Sequence, residues 1–260
     1  MTMSPPTLAR EWLDNTREVL DRIEATQLPQ IRAAAELMSE SIAAERWVHT
    51  FGCGHATLPV EEMYPRIGGF VGFHPMIELP LSFFTRVTGE MGVEQFVFLE
   101  RVEGYGTAIM KSHDFDPRDT MWLFSHSGIN NVNIDVALGA RERGMKVVVT
   151  GSAAAFRGVA SRHSSGKQLF ELADVVIDTC VPATDASVPV PGYGDRIGPV
   201  STMAFVSVVW MTVATVAGRL AERGVALHIS PSHNVPGDTT AKERLAAALA
   251  EYRRRLRVKE

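Results

Sequence analysis

The sequence predicts an α/β protein in which helices cover both faces of a parallel sheet. Short apolar runs typical of buried strands alternate with longer segments whose apolar residues recur at helical spacing. This alternation indicates βαβ units, and therefore parallel strands between two layers of helix. Three predicted strands are followed directly by turns that carry glycine with hydroxyl or histidine side chains, at 52–57, 125–131 and 150–152. Ligands of open parallel sheets bind at this end of the strands.

The first predicted element is a helical hairpin. One apolar stripe runs from Leu8 to Ile23, and a second runs from Ile31 to Ile42 after Pro29. Both have the spacing of one helix face. We therefore expect residues 1–46 to form two helices that pack on a core domain of residues 47–260.

The core domain reads as five strands and five helices. The predicted strands lie at 47–51, 95–99, 120–124, 146–150 and 173–178. The predicted helices lie at 58–64, 105–110, 131–144, 201–223 and 242–257. The stretch 68–80 is rich in glycine and proline and is predicted to be a loop that lines the site.

Composition excludes several classes of protein. The net charge of −4 argues against nucleic acid as a partner, because phosphate backbones need a basic face. Two cysteines in 260 residues are too few for a disulfide framework, and the histidines lack metal-ligand spacing. The polar N-terminus shows no secretory signal, and the apolar run 203–217 is shorter than the ~20 residues that span a bilayer. We expect a cytoplasmic protein without a membrane or metal partner.

The turn after the strand at 120–124 is the strongest functional signal. Ser125, Ser127 and Asn130 lie between this strand and the helix that begins at Asn131. Free N–H groups at a helix start, together with the helix dipole, bind anions. The turn therefore suits a phosphate monoester, although serine and asparagine are also common helix caps.

An ordered set of motifs resembles the sugar isomerase (SIS) domain family, and more narrowly its stand-alone phosphosugar-binding proteins. The matching segments span most of the chain and are Phe51-Gly52-Cys53-Gly54-His55, Glu61-Glu62, Glu103-Gly104-Tyr105, Ser125-His126-Ser127-Gly128-Ile129-Asn130, Ser161-Arg162-His163-Ser164-Ser165-Gly166-Lys167 and Gly198-Pro199-Val200-Ser201-Thr202. The resemblance implies a three-layer α/β/α sandwich around a five-stranded parallel sheet, in a homodimer or homotetramer.

The resemblance also implies which residues hold the phosphate. These are Ser125, Ser127 and Gly128, with Asn130 where many members have threonine, and Ser152 after the next strand. Relatives usually have serine at the position of Ala56, so one ligand hydrogen bond is missing unless Thr57 supplies it. Gly54, His126, His163 and Lys167 are further candidates for substrate contact, and a structural role is open for each histidine.

Catalysis is assigned to a carboxylate because aldose–ketose isomerisation needs a base that moves a proton between adjacent carbons. Glu61 and Glu62 lie in the region from which phosphoheptose isomerases and muramic acid phosphate etherases take a glutamate, and we favour Glu62. His55 is the candidate for ring opening or proton relay. Each residue could instead be solvated surface or a helix cap. Cys53 could be a nucleophile at a helix start, although a buried filler is the simpler interpretation.

The sequence therefore predicts a sugar-phosphate isomerase without a cofactor. An etherase or lyase is the close variant, and a non-catalytic phosphosugar sensor is the alternative from another class. About 45 residues precede the first strand, which is too few for the DNA-binding domain and linker that such sensors usually carry. We expect a homodimer whose interface uses the apolar segment 203–217 and the N-terminal hairpin.

Overall fold

The structure is a computed structural model that describes residues 7–63, 66–82, 92–232 and 234–257. Its strands are β1 (Val48–Gly52), β2 (Phe73–Pro75), β3 (Thr120–Phe124), β4 (Lys146–Gly151), β5 (Val175–Asp178), β6 (Ala186–Pro189) and β7 (Arg196–Pro199). Its α-helices are α1 (Leu8–Ala43), α2 (Leu58–Glu61), α3 (Leu79–Ser82), α4 (Gly92–Leu99), α5 (Tyr105–Met110), α6 (Asn131–Glu142), α7 (Ser201–Glu222) and α8 (Ala241–Arg257).

The main sheet has five parallel strands in the order β2-β1-β3-β4-β5. This confirms the predicted α/β fold and its five-stranded parallel sheet. Because β1 and β3 are neighbours although β2 lies between them in sequence, the chain changes direction across the sheet at this pair. A ligand crevice forms where two adjacent connections leave to opposite faces. The fold thus points to the carboxyl ends of β1 and β3.

Helices cover both faces of the sheet and give three layers. The side chains of β3 alternate between the layers: Trp122 and Phe124 join the buried cluster that contains α1 and α7. Met121 and Leu123 join the cluster that contains α5 and α6. All five residues of β3 are buried, as expected for a central parallel strand.

The N-terminal segment is a single helix, so the predicted hairpin is wrong. Helix α1 has 36 residues and continues through Pro29. A proline inside a helix costs about 3 kcal/mol or more, because it removes a hydrogen bond and crowds the preceding turn. The buried stripe from Val19 and Ile23 to Ile31 and Met38 runs across Pro29 against the core, and this packing offsets the cost.

Three elements of the core differ from the prediction. Residues 95–99 belong to α4 rather than to a strand. The fifth strand is β2, a three-residue edge strand inside the segment that was predicted to be a loop. The predicted helix at 58–64 is only the short α2, which follows a 3₁₀ turn at Gly54–Thr57, and Tyr64 lies outside the described residues.

The helices at the end of the chain are confirmed. Helix α7 packs against α1 and is long and apolar enough to span a membrane by length and composition. Many core helices of soluble proteins pass the same test. The antiparallel hairpin β6–β7 precedes α7, and α8 packs Ala248 against Trp47 and Val71 near the start of β1.

Candidate functional site

A cavity of about 190 Å³ lies at the carboxyl ends of β1 and β3, where the strand order predicts a crevice. Its described lining comes from the turns after β1 and β3, the first turn of α6 and the start of α7, with one residue directly after α4 and one directly before β6. The lining residues are Cys53, His55, Ala56, Glu100, Ser125, His126, Ser127, Asn130, Asn133, Asp185, Ser201 and Phe205.

The serine turn after β3 is held by two glycines. Gly128 has a φ of +67°, and its amide donates to the Oγ of Ser125 at 3.1 Å. A Cβ at Gly151 would lie 1.9 Å from the carbonyl oxygen of Ser125, so only glycine lets β4 approach the turn this closely. The Ser125 hydroxyl thus accepts from the turn and keeps its proton for a ligand, whereas the Gly128 amide is already used.

Ser127 is the open donor of this turn. Its hydroxyl and its amide make no hydrogen bond to any residue that the structure describes. The side chain is half-buried and lines the cavity beside Ser125. Ser125 and Ser127, two of the predicted phosphate-binding residues, can therefore both donate a hydrogen bond to a ligand in the cavity.

Helix α6 begins at the cavity without a side-chain cap. Asn130 occupies the cap position with φ −86° and ψ 146°, but its side chain makes no capping hydrogen bond. Its Nδ2 instead donates to Oε2 of Glu100 at 2.8 Å, and its Oδ1 accepts from Arg162. The interpretation of Asn130 as a simple helix cap is therefore wrong. The positive end of the α6 dipole stays available to an anion.

Glu100 is one of two carboxyl groups in the described lining, and the sequence analysis did not predict it; the other is Asp185. It follows α4 and is half-buried, and burial raises its pKa, although the hydrogen bond from Asn130 and the charges of Arg101 and Arg162 oppose this shift. A carboxylate with a raised pKa is a stronger base near neutral pH. The available sequence signal was a glutamate at the end of the apolar run 96–99, which is weak by itself.

Asn133 supplies a buried polar group without a partner. The residue is 3% exposed, and its Nδ2 donates to the Sγ of Cys53 at 3.6 Å. Its Oδ1 has no hydrogen-bond partner among the described residues. Buried polar atoms in native proteins are nearly always satisfied by protein, water or ligand. The Asn133 oxygen is therefore available to accept a hydrogen bond from a ligand or a water molecule.

Both ring nitrogens of His126 are engaged by other groups of the protein. Its Nε2 donates to the Ala183 carbonyl at 3.3 Å, and its Nδ1 lies 3.1 Å from the Oγ of Ser152. Ser152 is fully buried, also bonds Thr179, and does not line the cavity. Ser152 therefore contacts His126 rather than the cavity, whereas the sequence predicted a direct contact with the phosphate.

The first glycine turn contributes His55 and Ala56 to the lining. Thr57 is buried, and its hydroxyl donates to the Gly54 carbonyl at 2.7 Å. Neither Thr57 nor Gly54 lines the cavity. The Cys53 thiol lies in the lining, but burial and the nearby Glu100 raise its pKa strongly. A raised pKa disfavours the thiolate, so the structure favours the interpretation of Cys53 as a buried filler.

The predicted bases and the distal loop residues lie elsewhere. Glu61 is exposed, and Glu62 pairs with Arg66 at 2.7 Å and accepts from the Trp210 indole at 3.2 Å. Neither lines the cavity. His163 is buried against Asp135, and Lys167 is exposed. None of these four residues contributes to the described lining.

The start of α7 forms the opposite wall. Asp185 caps this helix, because its carboxylate accepts from the amides of Val200 and Ser201 at 2.9 and 2.8 Å and from the Ser201 hydroxyl at 2.6 Å. The two helix starts at the cavity thus differ. A carboxylate of the protein occupies the start of α7, while that of α6 lacks a side-chain cap.

These groups can bind a small polar anion without a metal. Among the described residues, no cluster of three or more histidine, cysteine, aspartate or glutamate side chains is arranged to hold a metal ion. The described lining contains no lysine or arginine, so the donors are two serine hydroxyls, free amides and the α6 dipole.

Comparison with known proteins identifies the family. The family model described as the SIS domain matches residues 11–152, more than half of the chain. A UPF0309 protein of Shouchella clausii is 31% identical over 91% of this chain and 89% of its own length. A UPF0309 protein of Oceanobacillus iheyensis is 32% identical over 89% of this chain and 92% of its own.

A solved phosphoheptose isomerase of Francisella tularensis overlaps 79% of this chain and 94% of its own, at 13% identity and a TM-score of 0.47. An overlap this low says nothing about activity, and the family assignment rests on the sequence matches. The chain is a SIS domain protein and belongs to the UPF0309 family.

Proposed function

We propose that the chain binds a phosphorylated sugar or amino sugar in the cavity and interconverts its aldose and ketose forms. The observation that supports this most is the coincidence of three features in one crevice. They are an uncapped helix start with two serine hydroxyls, a buried polar group without a partner, and a half-buried carboxyl group with a raised pKa.

In this proposal Ser125 and Ser127 hold the phosphate at the start of α6. Glu100 removes the proton from the carbon beside the open-chain carbonyl and returns it to the neighbouring carbon. The carbonyl oxygen gains a proton as the enediol forms, and the adjacent hydroxyl loses one when the enediol collapses, so no oxidant is needed. His55, at the turn after β1, is the candidate for these oxygen-bound protons.

The experiment measures incorporation of solvent deuterium at the carbon next to the carbonyl of bound phosphosugars. Glu100→Gln should keep phosphosugar affinity and lose roughly two orders of magnitude or more in exchange, because a general base acts chiefly in the transition state. Glu62→Gln is the matched comparison. If Glu62→Gln loses exchange and Glu100→Gln keeps it, Glu100 is not the base.

The wild type separates the isomerase from the alternatives. A protein that binds phosphosugars but exchanges no proton with any of them would be a sensor, and the isomerase proposal would be wrong.

A dimer remains part of the proposal. Since α1 already covers one face of α7, its interface would use the exposed side around Met203 and Ala214. Light scattering at micromolar concentration tests it.

A further inference from the structure

Asn130 has the backbone of a helix cap but not the role of one. Its φ of −86° and ψ of 146° are those of a capping residue, and asparagine is among the best caps. In the first turn of α6 the Val132 amide donates to the Glu100 carbonyl at 3.3 Å, whereas the Asn131 and Asn133 amides have no acceptor among the described residues. A rotation of the Asn130 side chain alone would bring its oxygen to the Asn133 amide, the usual donor to a cap. The capping group would then occupy the space that the proposed phosphate needs.

Two partners hold the Asn130 side chain away from the helix. The Asn130 amide nitrogen donates to the Glu100 carboxylate at 2.8 Å, and the Asn130 amide oxygen accepts from the Arg162 guanidinium. The oxygen is the atom that would cap the helix, so Arg162 is the group that competes directly with capping. Arg162 is exposed and does not line the cavity.

Arg162 is held in position by the loop around it, residues 161–166. Its amide donates to the Ile129 carbonyl at 3.0 Å, which ties the loop to the serine turn. The adjacent His163 is 8% exposed and bonds Asp135 at 3.2 Å and the Ser165 hydroxyl at 2.9 Å.

A second tie runs from this loop to the residues before α5. Ser164 donates its amide to Glu103 at 2.9 Å. Asp135, the partner of His163, also accepts from the Gly104 amide at 2.7 Å. These hydrogen bonds hold the loop 161–166, and with it the backbone of Arg162, in one position.

We propose that Arg162 is a positioning residue that keeps the start of α6 open, by holding the Asn130 side chain in an orientation that cannot cap the helix. The proposal rests on the proposed phosphate binding at this helix. It assigns His163, predicted from sequence as a substrate contact, to the support of Arg162. Loss of Arg162 releases Asn130 to cap α6 and to compete with the ligand.

The test is a double-mutant cycle in which the measured quantity is the affinity for inorganic phosphate. That affinity is determined by ³¹P NMR titration at 0.15 M salt. Arg162→Met should weaken phosphate binding about fivefold, the factor that corresponds to a typical cap of about 1 kcal/mol. In an Asn130→Ala background, which has no capping side chain, the same substitution should change affinity less than about twofold. Arg157→Met, an exposed arginine from the preceding loop, controls for the lost charge.

Stability supplies the second readout. Because a cap replaces the lost contact, Arg162→Met should leave the urea midpoint unchanged or higher, whereas a purely structural arginine would lower it. An equal loss of affinity in both backgrounds would assign the effect to charge and overturn the proposal. Wild-type binding with no effect of Arg162→Met would also overturn it, while leaving the phosphate site intact. A wild type that binds neither phosphate nor phosphosugars would remove the proposed function itself.

Discussion

Polar clusters lie at both ends of the parallel strands, and they are hydrogen-bonded in opposite ways. We call the end where the strands begin the amino edge of the sheet and the end where they finish the carboxyl edge. At the amino edge, Asp119 is 1% exposed and accepts from Arg46, His49 and the amides of Trp47 and Asp116. At the carboxyl edge, the Asn133 oxygen and the Ser127 hydroxyl have no partner among the described residues. A closed network stabilises the fold, whereas an open one is available to a ligand.

The amino-edge cluster is also covered. The Nδ1 atoms of His74 and His49 are 3.2 Å apart. The ring of Tyr252, from α8, stacks on the His74 ring with 6.3 Å between the ring centroids. Burial works against the charge of Asp119, but the hydrogen bonds from His49 and the two amides hold its pKa below the usual range. The difference between the edges therefore predicts that damage at one edge changes stability and damage at the other changes binding.

The largest expected effect is at the amino edge. Asp119→Ala should lower the free energy of unfolding by about 3–5 kcal/mol, because it leaves buried donors and Arg46 without their acceptor. Urea unfolding measures this loss. Phosphosugar affinity, measured where the variant is still folded, should stay within about twofold. A loss below about 1 kcal/mol would show that the network is not a structural tie.

The next effect is at the carboxyl edge. Ser127→Ala should weaken phosphosugar binding by about 1.5–3 kcal/mol, the range for hydrogen bonds to charged groups, and should leave stability unchanged. Affinity for the same sugar without its phosphate should hardly change. Calorimetric titration measures the affinity for both ligands. An equal loss of affinity for the two sugars would mean that the turn is structural.

The smallest effect is a pH dependence from His74. Burial, with help from His49 and His113, lowers its pKa from 6.5 to about 4, while Asp119 opposes this shift. The folded state therefore prefers the neutral ring, so the contribution to stability is complete above about pH 6.5 and is lost as the pH falls towards 4. Between pH 7.5 and 5 the loss should be about 1–2 kcal/mol, discounted for partial exposure.

His74→Gln provides the comparison for this pH effect. The variant should lose less stability than the wild type over the same interval, with both measured by urea unfolding. The difference removes contributions from the other histidines, which remain in both proteins. Identical pH profiles would show that His74 is not held neutral by the fold.

The sequence predicted the layers of the fold because buried strands and long helices carry strong apolar patterns. It failed where the pattern is ambiguous. The run 95–99 is apolar at every position but Gln95, which suits a strand or a short helix equally. Strand β2 has three residues between glycine-rich turns, and the packing of α1 overrides the break expected at Pro29.

Part of the site was also predictable from the sequence, because several of its residues lie in local motifs. Ser125, His126, Ser127, Asn130 and His55 lie in contiguous motifs at strand ends, and all of them line the cavity. Glu100 and Asn133 reach it through tertiary packing of α4 and α6, which no local pattern records. The bonds of Ser152, Thr57 and His163 to other buried groups are likewise invisible in the sequence.

The most direct test of the account is a crystal structure of the protein with a bound phosphosugar. The phosphate should lie at the start of α6, within hydrogen-bond distance of the Ser125 and Ser127 hydroxyls, and the sugar carbons should face Glu100. A phosphate bound elsewhere in an otherwise unchanged fold, with the start of α6 empty, would contradict it.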